Sequence, residues 1–350
     1  MLHRDLKAFL VKVLAGLGLF LVLYSPVLYF NLAMDPFGIF REDWGEQRIV
    51  PNKHYRKLQY LLEGDHAYDG FLFGSSRPNN IDCHKIPGMD IYNLSYSEGL
   101  PSEHLRDLKL LHRQGVQFNT VLVALDFSSY MVDPQLHWSQ GLRMPYPETA
   151  GEHHRFVTNY ILTPPPEWSF VRDLLNSPRT DRYRDVVSEG RSYNTEGEAA
   201  IRSDAEAHRN HPKFDHAHLE AHYKARIPET LAEIRGLVAF CDSLDIALTL
   251  FINPIHHTTY RAIDHAAYAG FLRELASIHP FHDFCQIHPV TTDNMNYYET
   301  SHYRPQVGDR IVERLFAPDT LTADATAWGA LITPENVEKR LEFLAGQLRP

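Results

Sequence analysis

Two short segments of this chain hold the residue types that nucleophilic acyl chemistry needs, although more than 200 positions separate them. Phe71-Leu-Phe-Gly-Ser-Ser-Arg77 is an apolar run that stops at Gly-Ser-Ser, the pattern of a buried strand that delivers a hydroxyl to a sharp turn. Tyr298-Glu-Thr-Ser-His-Tyr-Arg304 places Glu299 three residues before His302. A serine hydroxyl becomes a nucleophile when an imidazole takes its proton. The imidazole in turn needs a carboxylate to fix its tautomer and stabilise its cation. Ser75 or Ser76, His302 and Glu299 meet these needs if the fold joins the two segments.

The intervening sequence has the elements to do so. Gly70–Phe73, Asp90–Leu94, Thr120–Leu125, Ile246–Ile252 and Phe284–Ile287 read as strands; Thr120–Leu125 is a continuous apolar run, as expected of a strand covered on both faces. Between them, Ser102–Arg113, Thr230–Leu244 and Ala262–Ile278 carry apolar residues at helical spacing, as do His54–Leu62 before and Pro334–Leu348 after. Alternating strands and helices predict an α/β domain with a parallel sheet and helices on both faces. Ligands of such sheets bind at the carboxyl ends of the strands. Gly74–Ser76, Asn93–Gly99, Asp126–Ser129, Asn253–His256 and Glu299–His302 all fall there. From Met131 to about His222 the rhythm breaks into Pro-rich, charged and His-rich sequence with short helices near Trp168–Leu175 and Thr195–His208. This stretch is expected to be an insertion over one sheet edge.

Val13 to Phe30 holds no charge, and apolar flanks extend it to the length that crosses a bilayer. His3, Arg4, Lys7 and Lys12 precede it, and Asp35, Glu42, Asp43 and Glu46 follow. The positive-inside rule then keeps the N-terminus in the cytoplasm and exports the rest. Asn31-Leu-Ala33 supplies no small-x-small cleavage site, so an uncleaved anchor is expected in place of a removed signal. The resulting layout is 1–34 N-terminus and anchor, 35–65 connector, 66–330 exported domain with the insertion at 131–222, and 331–350 C-terminal helix. A net charge of −10 without a basic stripe argues against nucleic acid, and there is no Gly-Lys phosphate loop or GxGxxG. Cys83, Cys241 and Cys285 form no CxxC pair and are expected as buried thiols. The 21 histidines include no HExxH or other recognised ligand spacing, so no metal is expected. Arg77 and Arg304 are expected in surface salt bridges, with an anionic substrate as the other use.

On these residues the chain resembles the SGNH/GDSL hydrolase superfamily over about residues 65–130 and 230–316. Phe73-Gly-Ser-Ser76 is similar to the first block of that family, which implies Ser76 as the nucleophile and Ser75 behind it. Asn93-x-Ser-x-Ser-x-Gly99 is similar to the second block, whose turn amides help to bind an oxyanion; this implies a binding role for Asn93 and Gly99. Glu299-x-x-His302 is similar to the last block, with Glu for the usual Asp. The third block usually supplies an Asn; Val123-Ala-Leu-Asp-Phe-Ser128 has Asp126 there, expected to orient a loop or a substrate hydroxyl. The resemblance implies a flavodoxin-like three-layer SGNH fold preceded by one transmembrane helix. The plan is most similar to DltD-like proteins, which assist D-alanylation of teichoic acids, and to exported SGNH acyltransferases of polysaccharide O-acetylation. It implies a bacterial inner-membrane location, no cofactor, a cell-envelope glycan or lipid-linked acyl substrate, and a multi-pass membrane acyltransferase as partner. Hydrolysis and transfer are both open. The alternative is a non-catalytic SGNH-like module that binds a glycan or docks such an acyltransferase.

Overall fold

A computed structural model describes residues 2–41, 47–165, 167–178, 187–191, 194–316 and 324–349. Its centre is a six-stranded sheet: β1 (Gly70–Gly74), β2 (Ile91–Asn93), β3 (Thr120–Leu125), β4 (Ala247–Ile252), β5 (Phe281–Asp283) and β6 (Ala330–Ile332). The order is β2-β1-β3-β4-β5-β6. The first five strands are parallel, and β6 closes the edge antiparallel to β5.

Side chains alternate across the pleat and fill two separate cores, which makes three layers. Phe71, Phe73, Val121, Val123, Leu125, Leu250 and Ile252 face one core, which Leu108, Ile234, Phe271 and Leu341 complete from the helices. Leu72, Leu122, Ala124 and Phe251 face the other, against Tyr297, Tyr303, Val307 and Ile311. The helices Lys53–Glu63, Pro101–Arg113, Ile227–Ser243, His265–Ile278 and Val337–Gly346 contribute to the first layer, and Pro305–Phe316 to the second.

Three elements differ from expectation. The helix expected over Ala262–Ile278 starts later, at His265, because Asp264 accepts hydrogen bonds from the amides of Ala266 and Ala267; a separate short helix, His257–Ala262, precedes it. The strand expected at Phe284–Ile287 lies earlier, at Phe281–Asp283, where it pairs with Leu250–Ile252. Its last residue, Asp283, accepts from the fully buried Arg340 at 2.8 Å, which ties the C-terminal helix to the sheet. β6 carries no signal in the sequence, since three residues are too few for a period.

The N-terminal helix α1 (Leu2–Met34) contains a 26-residue apolar segment, Phe9–Met34, whose most apolar stretch the rest of the chain leaves unburied. That is long and apolar enough to cross a membrane. The stretch after α1 is built into the domain. Asp35 is buried with φ +41°, and its carboxylate accepts from the amides of Ile39, Phe40 and Arg41. Ile39 joins Trp138, Met144, Phe156 and Tyr160 in a small third core. Phe156 and Tyr160 lie on a helix that the sequence reading lacks, Ala150–Leu162, started by the Thr149–Glu152 capping box.

Candidate active site

β1 ends at Gly74 and β3 at Leu125, the two sides of the point where the strand order reverses. The turn after β1 is tight. A Cβ on Gly74 would stand 2.6 Å from Pro78 Cγ and 2.9 Å from Ala124 O, so no larger residue fits there. Ser75 turns inward and is buried; Ser76 heads a 3-10 turn (Arg77–Asn80) and keeps partial access to solvent.

The structure brings Ser76, His302 and Glu299 into one chain of hydrogen bonds. Ser76 Oγ lies 2.6 Å from His302 Nε2. His302 Nδ1 lies 2.5 Å from Glu299 Oε1. The Glu299 carboxylate also accepts the amides of Ser301 (2.7 Å) and His302 (2.8 Å). Burial by itself raises a carboxyl pKa; here the hydrogen bond and charge of His302, the charge of His218 and the His302 amide outweigh it and hold Glu299 at about 2. An ionised carboxylate only accepts, so the proton sits on Nδ1. In that tautomer of the uncharged ring, Nε2 is the acceptor that faces the Ser76 hydroxyl. The His302 and Glu299 side chains are each about one-third exposed, so the site is open to a substrate.

Asp126 is buried, and its acceptor sites are filled by Ser75 Oγ (2.6 Å), Arg77 Nη1 (2.8 Å), the Ser128 amide (3.0 Å) and the Ser128 hydroxyl. It organises the turn. Burial opposes its charge, but Arg77 and these hydrogen bonds keep the carboxyl below its usual range. Arg77 differs from the expected surface salt bridge: its pair with Asp126 is buried, and its Nη2 donates to Ser301 Oγ at 2.8 Å. This guanidinium therefore links the β1 and β3 ends to the loop carrying His302. Arg304 pairs with Glu198 of the insertion at 2.6 Å and is also largely covered.

Asn93 uses both amide hydrogens on the carbonyls of Pro78 (2.8 Å) and Ile81 (3.2 Å), and its Oδ1 accepts the Ser95 amide and hydroxyl. Its side chain has no donor left for an oxyanion and instead holds the β2 end against the Ser76 turn. Gly99 is required by a close approach: a Cβ there would lie 2.3 Å from Gly74 O. Its amide points to Tyr96 O at a long 3.4 Å. Among the described residues, no backbone carbonyl accepts the Ser76 amide.

Several residues at the site escaped sequence reasoning. Lys57 is fully buried and donates to the carbonyls of Asn93 (2.9 Å) and Ser95 (2.5 Å), bracing the Asn93–Gly99 turn from behind. Burial, with Lys53 nearby, pushes its ammonium well below the usual range. Glu98 has φ +55°, a left-handed conformation that a residue with a side chain adopts only when held. It is held by His222 Nε2 (3.1 Å), Arg143 (3.2 Å) and His137 (3.6 Å). His218 Nδ1 stands 3.9 Å from Glu299 Oε2. The only sequence signal for His218 and His222 was the histidine density of the insertion, which does not distinguish the two from neighbours such as His153 and His154. Cys83, Cys241 and Cys285 are buried free thiols. Among the described residues no group of three or more His, Cys, Asp or Glu side chains is placed to hold a metal.

No protein-family model matches this chain, and no curated protein matches it.

Proposed function

We propose that the chain is an SGNH-type acyl-ester hydrolase or O-acyltransferase with a flavodoxin-like domain on an N-terminal membrane anchor. The observation that carries this function is the continuous Ser76–His302–Glu299 hydrogen-bond chain at the carboxyl ends of a parallel sheet. Ser76 Oγ attacks the carbonyl carbon of an ester while its proton passes to His302 Nε2. The developing oxyanion is stabilised by the Ser76 amide at the head of its turn. When the tetrahedral intermediate collapses, the C–O bond to the leaving alcohol breaks and His302 returns the proton to it, leaving an acyl-serine. An incoming water or sugar hydroxyl then gives its proton to His302 as it attacks the acyl carbon; the bond from that carbon to Ser76 Oγ breaks, His302 returns the proton to Ser76 Oγ, and the acid or the acylated sugar leaves. Glu299 holds the imidazole and stabilises its cation throughout. Water as acceptor makes an esterase; a hydroxyl of an envelope glycan makes a transferase.

The charge asymmetry about α1 supports an N-in, single-pass arrangement with the domain outside the cytoplasmic membrane. An envelope glycan or lipid-linked acyl donor as substrate, and a multi-pass acyltransferase as partner, extend the proposal from the resemblance.

Reaction of the full chain with a fluorophosphonate probe tests the function. Labelling that disappears in Ser76→Ala and persists in Ser75→Ala is expected. One observation favours a second function, a non-catalytic glycan-binding module: neither Asn93 nor Asp126 has a side-chain donor to offer an oxyanion. A folded chain that takes no label in the wild type would select it.

A further inference from the structure

The apolar part of α1 is longer than a bilayer core. Its 26 residues rise roughly 39 Å, against about 30 Å of hydrocarbon. A span counted from Phe9 leaves the hydrocarbon near Tyr29, and the domain meets α1 around that level. The Tyr24 hydroxyl donates to Leu162 O, and Asn31 Nδ2 donates to Ile161 O (2.8 Å) and Thr163 O (2.9 Å). The carboxyl end of the helix Ala150–Leu162 is thereby fixed where the chain emerges.

The next helix, Trp168–Asn176, has two distinct faces. Leu174 is buried and Phe170 stacks on Phe37 at 6.3 Å, which docks one face on the domain. Arg48 donates to the carbonyls of Leu175 (3.3 Å) and Ser177 (2.5 Å) and secures its end. Trp168 and Leu175, seven positions apart, share the other face at 76% and 53% exposure, and Leu162 beside α1 is 43% exposed. Arg172 lies between them with a stem long enough to carry its charge into water. Behind this face is a cavity of about 250 Å³ lined by Phe30, Pro36, Phe37, Met144, Tyr160 and Phe170. Asn31 and Asn159 also line it, and their amides are already bonded to backbone carbonyls.

We propose that this junction is a lipid-binding site. Leu162 and the helix Trp168–Asn176 rest in the bilayer interface beside α1, with Trp168 at the headgroup level, where indole rings are favoured. The cavity at the foot of α1 receives one acyl chain of a membrane glycerolipid. The site rests on α1 being a membrane span and is independent of the chemistry at Ser76. It ties the domain to the bilayer at two places and so fixes its tilt.

The full chain and its Trp168→Phe variant, reconstituted in phosphatidylcholine vesicles with or without brominated chains, test it. The difference in emission between the two proteins reports Trp168 alone. Loss of that emission in the brominated vesicles is expected; full emission from protein that floats with the vesicles overturns the proposal. Protein that does not float overturns the membrane span itself, and the site with it. In a second measurement, a phosphatidylcholine with a photoreactive chain is expected to cross-link to Met144, which is buried in the cavity wall. Cross-links confined to residues 9–23, below the cavity, would show that no chain enters and overturn the cavity's role.

Discussion

Arg77 and Asp126 form an ion pair 2.8 Å long, shielded from water, directly behind the serine turn. It explains how a carboxylate can stand at the end of β3 beside Ser76, where the proposed chemistry would develop negative charge. Asp126 is neutralised by Arg77 and occupied by Ser75 and Ser128, so its field at Ser76 is much reduced. It also assigns the two serines: Ser75 belongs to this buried network and Ser76 to His302.

Removing one partner of a buried pair leaves the other charge without compensation. Asp126→Asn is therefore expected to destabilise the domain by about 3–5 kcal/mol, read from urea unfolding. Arg77→Met combined with Asp126→Leu should recover part of that loss. A single variant as stable as the wild type would show that the two charges are not coupled in this way.

Glu299→Gln keeps the side-chain shape but places a neutral amide against the imidazole. Turnover of an activated ester is expected to fall by about 10²–10⁴-fold, with unchanged circular dichroism. Equal rates for the two proteins would remove Glu299 from the mechanism.

Gly99→Ala forces a Cβ against Gly74 O, which would lie only 2.3 Å away. The backbone of one strand-end turn must move off the other, at an expected cost of about 1–3 kcal/mol. Because the moved turn carries Ser76, fluorophosphonate labelling should slow as well. The melting temperature and labelling rate check both effects.

His137 predicts a pH dependence of stability. It is buried with Nδ1 2.7 Å from Glu103 and Nε2 3.6 Å from Glu98. Arg143 and His222 also face Glu98, and Tyr96 faces Glu103. Burial disfavours the imidazolium, but the two carboxylates outweigh it and raise the pKa from 6.5 to about 9. A raised folded-state pKa gives stability that is complete below about 6.5 and is lost as the pH climbs through about 9. The stability advantage of the wild type over His137→Gln, measured as the difference in unfolding midpoint, should be largest at the acid end and shrink across that window.

Local elements and the candidate reactive groups are readable from the chain alone. Thr120–Leu125 is legible as a strand because both of its faces are buried and no polar residue interrupts it after Thr120. Ser76, His302 and Glu299 are legible because their residue types and short spacings carry chemistry whatever surrounds them. Glu299 and His302 pair across three positions, so that contact too is local.

Contacts between distant segments come only from the fold. The 2.6 Å approach of Ser76 to His302 exists because the end of β1 and the loop before the helix Pro305–Phe316 meet at the carboxyl ends of the strands. Nothing in the sequence around Lys57 marks it as buried; the carbonyls of Asn93 and Ser95, brought to it by folding, make its burial tolerable. Arg77 is a buried link in place of a surface charge for the same reason. β6 is a strand because the edge of β5 has open hydrogen-bonding groups for it to pair with, not because of its own three residues. A residue's type and its neighbours along the chain set what it can do, and the partners that satisfy a buried charge or an open edge are supplied only by the folded chain.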